Sequence, residues 1–152
     1  MDRSRKATLA LLARIPPEDI VRPGTQGDWS IKDVLAHFAA WEDEGTERLR
    51  LIRHGRADRI RYFDDLREAD AFNANAVRAV RSVSLPGILR RLARARLRLH
   101  AAVRRVPASA LRDPSHRYPV TVWLPEFAWA HEEGHVREIR AWWARSRRWI
   151  GR

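Results

Sequence analysis

The sequence predicts an all-α protein, a four-helix bundle in which a long crossover joins the second and third main helices. Apolar residues recur at helical spacing in four long segments, and no segment shows a convincing strand pattern. The composition, 45% hydrophobic and 32% charged, suits amphipathic helices. A chain of 152 residues without a tandem repeat or a low-complexity tract predicts a single domain over residues 1–152.

The first two helices are predicted from their apolar stripes and end signals. The first runs from about Arg3 to Ile15, and Pro16-Pro17 stop it; its predicted stripe is Leu9, Leu11, Leu12 and Ile15. The second begins after Ser30, which is placed to cap it, with Asp33 three residues later, and Gly55 closes it. Its predicted stripe is Ile31, Val34, Leu35, Phe38, Gly45, Leu49 and Ile52.

The chain then makes a long connection, from Gly55 to Ser84, that contains the predicted helix "DLREADAFNANAVRAV". A connection of this length allows the helices on either side of it to be parallel. Whether it closes over a site as a lid is left open by the sequence. The third main helix follows, with a seven-residue repeat of apolar positions: Leu85, Leu92, Leu99 and Val106, together with Ile88, Ala95 and Ala102.

The last helix is predicted from about Leu124 to Trp149, after a loop in which Pro114 and Pro119 prevent a continuous helix. Helical spacing places both of its histidines on the face that turns toward the core. The predicted face is Phe127, Ala130, His131, Gly134, His135, Ile139 and Trp142.

Composition also excludes several classes of function. The chain has no cysteine, so disulfides, thiolate nucleophiles and cysteine-ligated zinc are excluded. No segment is long and apolar enough to cross a bilayer, and no signal peptide is visible, which predicts no membrane partner and a cytoplasmic location. The net charge is +11, but 28 of the 30 basic residues are arginines spread over every segment. We therefore expect no specific nucleic-acid site, only weak binding to polyanions.

The histidines carry the main functional signal. His131 and His135 lie four residues apart, so their side chains stack on one helix face and can bind one metal ion. His37, at the edge of the second helix's apolar stripe, is the best source of a third ligand. The alternative is that His37 is a core histidine bonded to a carbonyl. We interpret His54, His100 and His116 as surface or loop residues.

Two glutamates are candidates for catalysis or for support of the ligands, Glu42 and Glu138. Glu42 lies on the buried side of its helix, where it could orient a ligand imidazole, bind the metal or pair with an inward arginine. Glu138 follows the histidine pair as a possible partner of it, whereas Glu132 and Glu133 are expected to be solvated. An apolar pocket near the histidines is predicted from Trp41, Trp129 and Trp142.

Three stretches together resemble the DinB-like four-helix-bundle superfamily, and its ClbS/DfsB-like branch in particular: "GDWSIKDVLAHFAAWE", "READAFNANAVRAV" and "HEEGHVREIRAW". The resemblance implies that His37, His131 and His135 bind a divalent metal, zinc or nickel. Many relatives continue the last motif with an arginine where this chain has Val136, and here the arginine follows one position later, at Arg137. This departure affects the substrate contacts that the resemblance implies, and it does not affect the metal ligands.

The resemblance implies a metal-dependent enzyme of detoxification or thiol transfer that acts on a small electrophilic substrate with a low-molecular-weight thiol. The ClbS-like branch implies an alternative, a metal-free self-resistance hydrolase, and a non-catalytic binding or sequestering protein is a further one. A pure scaffold or dimerisation module also stays open. The apolar end formed by Trp142, Trp143 and Trp149 predicts a homodimer.

Overall fold

The computed structural model describes the backbone of residues 2–150 and the side chains of residues 2–146. Within that part, the chain is helical and forms no β-strand; an isolated bridge joins Gln26 and Trp29. The all-α prediction is therefore confirmed. The helices are α1 (Asp2–Leu12), α2 (Pro17–Ile20), α3 (Ile31–Arg53), α4 (Leu66–Arg78), α5 (Leu85–Arg105), α6 (Ala108–Leu111), α7 (Val120–Phe127) and α8 (Trp129–Ile150), with a 3₁₀ turn at Ala57–Arg59.

The start of α3 follows the predicted cap. The Ser30 side chain accepts from the Asp33 backbone N–H, and the Asp33 carboxylate accepts from the Ser30 backbone N–H, so the capping box of α3 is complete. α1 ends at Leu12, three residues before the predicted end, because Ile15 precedes Pro16 and a residue before proline avoids the helical conformation. Leu9 was wrongly placed in the buried stripe and is 47% exposed.

α3 and α5 run parallel to each other. Later residues of α3 contact later residues of α5: Glu42 binds Arg96, Asp43 binds Arg98, and Gly45 packs on Leu99. The 31 residues between Arg53 and Leu85 connect the two helices. α4 lies in the middle of this connection and packs beside α3.

The predicted last helix is divided in two. α7 ends at Phe127, and Ala128 takes a non-helical conformation before α8 begins at Trp129. Pro125 lies inside α7, where it removes a backbone donor and crowds the turn that precedes it rather than the residues at the break.

Two apolar clusters form the core. The first joins α1, α3, α5 and α8 through residues such as Leu35, Leu92 and Ile139; the second joins α3, α5 and α7 around Leu49 and Leu99. Along α3 and α5, charged side chains separate these clusters. No helix in the described part of the chain is long and apolar enough to span a membrane.

Candidate metal centre

Three histidines meet between α3 and α8. His37 extends from the second turn of α3, and His131 and His135 extend from consecutive turns of α8. The Nε2 atom of His131 lies 2.9 Å from Nε2 of His37 and 2.9 Å from Nε2 of His135. One ligand atom from each ring therefore points at a common position.

The rings stay neutral near pH 7. Burial, followed by the neighbouring His131 and His135, lowers the pKa of His37 from 6.5 to about 3, although Asn73 acts in the opposite direction. Burial and then His135 lower the pKa of His131 to about 4, against the charge of Glu132. Burial also lowers the pKa of His135, against Glu138. Neutral imidazole is the form that binds a metal ion.

A hydrogen bond orients His135. Its Nδ1 atom lies 2.7 Å from the side-chain oxygen Oε1 of Gln26, which can only accept, so Nδ1 carries the proton. The Nε2 lone pair of His135 is then free and directed at His131. A second-shell bond of this kind is typical of metal-ligating histidines.

The three residues fit a divalent cation. Nitrogen lone pairs that face each other at 2.9 Å repel one another unless a proton or a cation lies between them. The low pKa values of His37 and His131 disfavour a second proton on either ring, so each neutral ring keeps one nitrogen lone pair that a cation can use. Three imidazoles are a common donor set for zinc with an open position for water or a substrate.

A cleft of about 290 Å³ opens onto the three rings. Its aromatic walls are Trp29, Trp41 and Phe127, and its other polar side chains are Asn73 and Glu126. The Trp41 indole donates to the Asn73 oxygen at 2.9 Å, which ties α4 to this wall. The cleft can hold a small, largely apolar molecule with its polar end near the histidines.

Glu42 takes the third of its predicted alternatives and pairs with inward arginines. It is 1% exposed and accepts from Arg5 at 2.7 Å and from Arg96. Burial raises the pKa of Glu42, against the opposing effect of both arginines. Its Oε1 atom is therefore occupied by ion pairs with both arginines, while Oε2 is buried without a hydrogen-bond partner among the described residues.

Glu138 lies beside the histidines but in solvent. Its Oε2 atom is 3.5 Å from Nδ1 of His135, and its side chain is 61% exposed. The same nitrogen has its closer partner in Gln26. Glu133 is exposed, as expected.

The expectation that Glu132 is solvated was wrong: it is 1% exposed. Its carboxylate accepts from Arg5 at 2.8 Å, from Arg96 at 2.7 Å and from the hydroxyls of Ser4 and Thr8. Burial would raise its pKa, but the hydrogen bonds from Arg5 and Thr8 and the arginine charges lower it instead. With Glu42, these side chains form one buried ion-pair network that joins α1, α3, α5 and α8.

Of the three tryptophans predicted to wall the pocket, Trp41 lines the cleft. Trp129 and Trp142 are not among the residues that line it. Trp129 packs against the second core cluster, and Trp142 is buried in the first, with the Arg22 guanidinium over its ring. Of the proposed homodimer patch, Trp142 is thus buried and Trp143 half-buried, while the Trp149 side chain lies outside the described residues.

Sequence reasoning missed several residues of the site and its support. Gln26 and Trp29 lie in the loop before α3, where no periodicity applies. Glu126 was not predicted because the break at Ala128 changes which side of the helix faces the cleft. Arg96 carried a usable signal, since it follows the buried Leu92 by four residues and therefore shares its face.

Fold and site together define a class: helical proteins in which histidines from two packed helices can hold a metal ion at the base of an aromatic cleft. The sequence matches the DinB superfamily over residues 1–139, and the chain belongs to that family. No curated protein and no solved structure gives a match.

Proposed function

We propose that this protein is a divalent-metal-dependent enzyme that transfers a low-molecular-weight thiol, or water, to a small electrophilic molecule in detoxification. His37, His131 and His135 hold the metal, zinc or nickel. A bound ion supplies Lewis acidity and lowers the pKa of a thiol or water at the open position.

The observation that carries the proposal is the convergence of the three Nε2 atoms at the base of the cleft. A structural metal site would be closed by a fourth protein ligand. Here the cluster consists of three residues among those described, and the cleft gives a small molecule access to them.

Other residues of the chain bind the substrate and orient the metal-binding histidines. Trp29, Trp41 and Phe127 surround the apolar body of the substrate and exclude water from it. Asn73 offers an amide to a polar group. Gln26 keeps the His135 ring in its ligating orientation.

Glu126 fits the role of general base better than either predicted glutamate. Glu126 is exposed, but it lines the cleft and makes no ion pair with any described residue, whereas Glu42 is bound by two arginines and Glu138 does not line the cleft. A carboxylate in this position can take the proton of an incoming thiol or water.

The test is metal content by mass spectrometry on tag-free protein, with His37→Ala and a control, His54→Ala. His54 caps the same helix, α3, at its exposed end. We expect about one zinc or nickel ion per chain in the wild type and in the control. We expect at least a tenfold lower content in His37→Ala.

Absence of metal from the wild type, even after reconstitution with zinc and nickel salts, would contradict the proposal. A metal-free hydrolase or a binding protein would then be the better reading. Equal metal content in wild type and His37→Ala would place the metal elsewhere.

A further inference from the structure

The positive charge of this protein is unevenly distributed, although arginines occur in every segment. Residues 71–112 contain ten arginines and no Asp, Glu or Lys. The rest of the chain has 20 basic and 19 acidic residues and is close to neutral. Nearly all of the net charge of +11 therefore lies on α5 and the segments that flank it.

The fold arranges much of this charge on one exposed surface, which we call the α5 arginine face: Arg90, Arg94, Arg98 and Arg105. The spacing of four, four and seven residues keeps them on one side of α5, opposite the buried Ile88, Leu92 and Leu99. Their Cα atoms span about 22 Å along the helix axis. Arg91 and Arg104 flank the face and are also exposed.

Few acidic groups neutralise the α5 arginine face. Asp43, on α3, binds Arg98 at 2.6 Å. Arg90, Arg94 and Arg105 have no ion pair with any described residue, and Asp2 at the side of α5 contacts His100 instead. Self-repulsion among neighbouring guanidinium groups destabilises a fold, so a partner that supplies negative charge is favoured here.

We infer that the α5 arginine face binds the phosphate backbone of double-stranded nucleic acid without reading its sequence. An array of negative charges more than 20 Å long matches the face in length and sign. A membrane fits less well, because the apolar side of α5 is buried and Leu97 is the exposed large apolar side chain on this face. An acidic protein partner would need an aromatic or aliphatic anchor beside the charges, and the face offers only Leu97.

This surface is distinct from the candidate metal centre. The face borders a groove between α3 and α5, which Arg98 and Arg105 line together with Thr46, Arg50 and Arg53 of α3. His37 lies on the opposite side of α3. Nucleic-acid binding would therefore leave the cleft accessible. The inference does not rest on the proposed enzymatic function.

The experiment is fluorescence anisotropy of a labelled 20-base-pair DNA duplex titrated with the full chain at 50 to 200 mM salt. The test variant is Arg90→Gln/Arg94→Gln/Arg105→Gln. The matched control, Arg14→Gln/Arg140→Gln/Arg145→Gln, removes the same charge from exposed arginines outside α5 that make no ion pair with described residues. Circular dichroism melting checks that both variants fold.

With four phosphate contacts, wild-type affinity should fall roughly 150-fold between 50 and 200 mM salt. The α5 variant should bind at least tenfold more weakly at 50 mM, and its log–log salt slope should shrink by about three. The control should stay within about threefold of the wild type.

Three results would overturn the inference. Equal weakening of both variants would mean that net charge, not the α5 arginine face, attracts DNA. If the wild type does not bind the DNA duplex at 50 mM salt, double-stranded nucleic acid is excluded as the partner of the α5 arginine face. Tighter binding to phosphatidylserine vesicles than to DNA, lost in the α5 variant, would assign the face to a membrane surface.

Discussion

Each glutamate around the histidines has a different electrostatic setting, and that setting decides what its carboxylate can do. Glu42 and Glu132 are buried and paired with Arg5 and Arg96, and neither of them lines the cleft. Glu126 is the glutamate that lines the cleft. Chemistry at the site should therefore depend on Glu126 rather than on the glutamates next to the histidines in sequence.

Replacing Glu126 with Gln should leave metal content unchanged and lower the rate of thiol transfer by about 10²-fold or more, because the amide cannot accept the proton. The assay couples cysteine or a similar thiol to 1-chloro-2,4-dinitrobenzene and follows absorbance. Glu133→Gln, an exposed site on α8, is the control and should be fully active. Full activity in Glu126→Gln would remove the general-base role while leaving the metal site untouched.

The lowered histidine pKa values make the stability of the metal-free protein depend on pH. The folded pKa is about 3 for His37 and about 4 for His131, against 6.5 in the unfolded chain. Below pH 6.5 the unfolded chain takes up protons that the folded protein does not. The free energy of unfolding therefore falls as pH falls from about 6.5 toward 4, with a limiting slope of about 1.4 kcal/mol per pH unit for each histidine.

Urea denaturation of chelator-treated protein at pH 7, 6 and 5 measures this slope. His37→Leu should reduce it, while His54→Leu, at an exposed position, should not. A free energy of unfolding that stays constant from pH 7 to pH 5 would show that the histidines titrate normally in the folded state.

At the scale of the helix, the buried ion-pair network fixes how the four helices meet. Arg96 of α5 bridges Glu42 of α3 and Glu132 of α8, which is next to His131 in sequence. Arg98, two residues later on the same helix, makes an exposed pair with Asp43. The two arginines differ in burial, and this difference predicts different costs of removal.

Arg96→Met should destabilise the fold by roughly 3–5 kcal/mol, because two buried carboxylates lose a partner. Arg98→Met should cost less than about 1 kcal/mol, as for other exposed ion pairs. Chemical denaturation of both variants at pH 7 makes the comparison. Costs within 1 kcal/mol of each other would mean that the network is not needed to hold the helices together.

The elements that could be predicted from the sequence are those controlled by local signals. Ser30 and Asp33 fix the start of α3, and the seven-residue repeat fixes α5. A single apolar stripe could not predict α8, because that helix is contacted on two sides. Its His131 side faces the cleft, and its Glu132 side faces Arg5 and Thr8 of α1. Long-range partners decide the burial of Glu132, and periodicity does not contain them.

At the scale of the whole molecule, the connection between α3 and α5 is the part most able to control access to the cleft. Asn73 and Phe72 of α4 contact Trp41, so α4 forms one side of the cleft. Yet Val77 is the one buried residue of α4, whereas α5 buries five, from Ile88 to Leu99. A helix with so little buried surface opens locally at a low free-energy cost.

Hydrogen exchange followed by mass spectrometry tests this asymmetry. Amides of α4 should exchange at least 10²-fold faster than those of α3 and α5, since they open without global unfolding. Asn73→Ala removes the hydrogen bond to Trp41 and should speed exchange in α4 while leaving α5 unchanged. Equal protection of α4 and α5 would mean that α4 is a fixed wall and that substrates enter past Trp29 and Glu126. Faster exchange confined to α4 would identify this helix as the segment that opens the cleft. The hydrogen bond between Trp41 and Asn73 would then stabilise the closed position of α4.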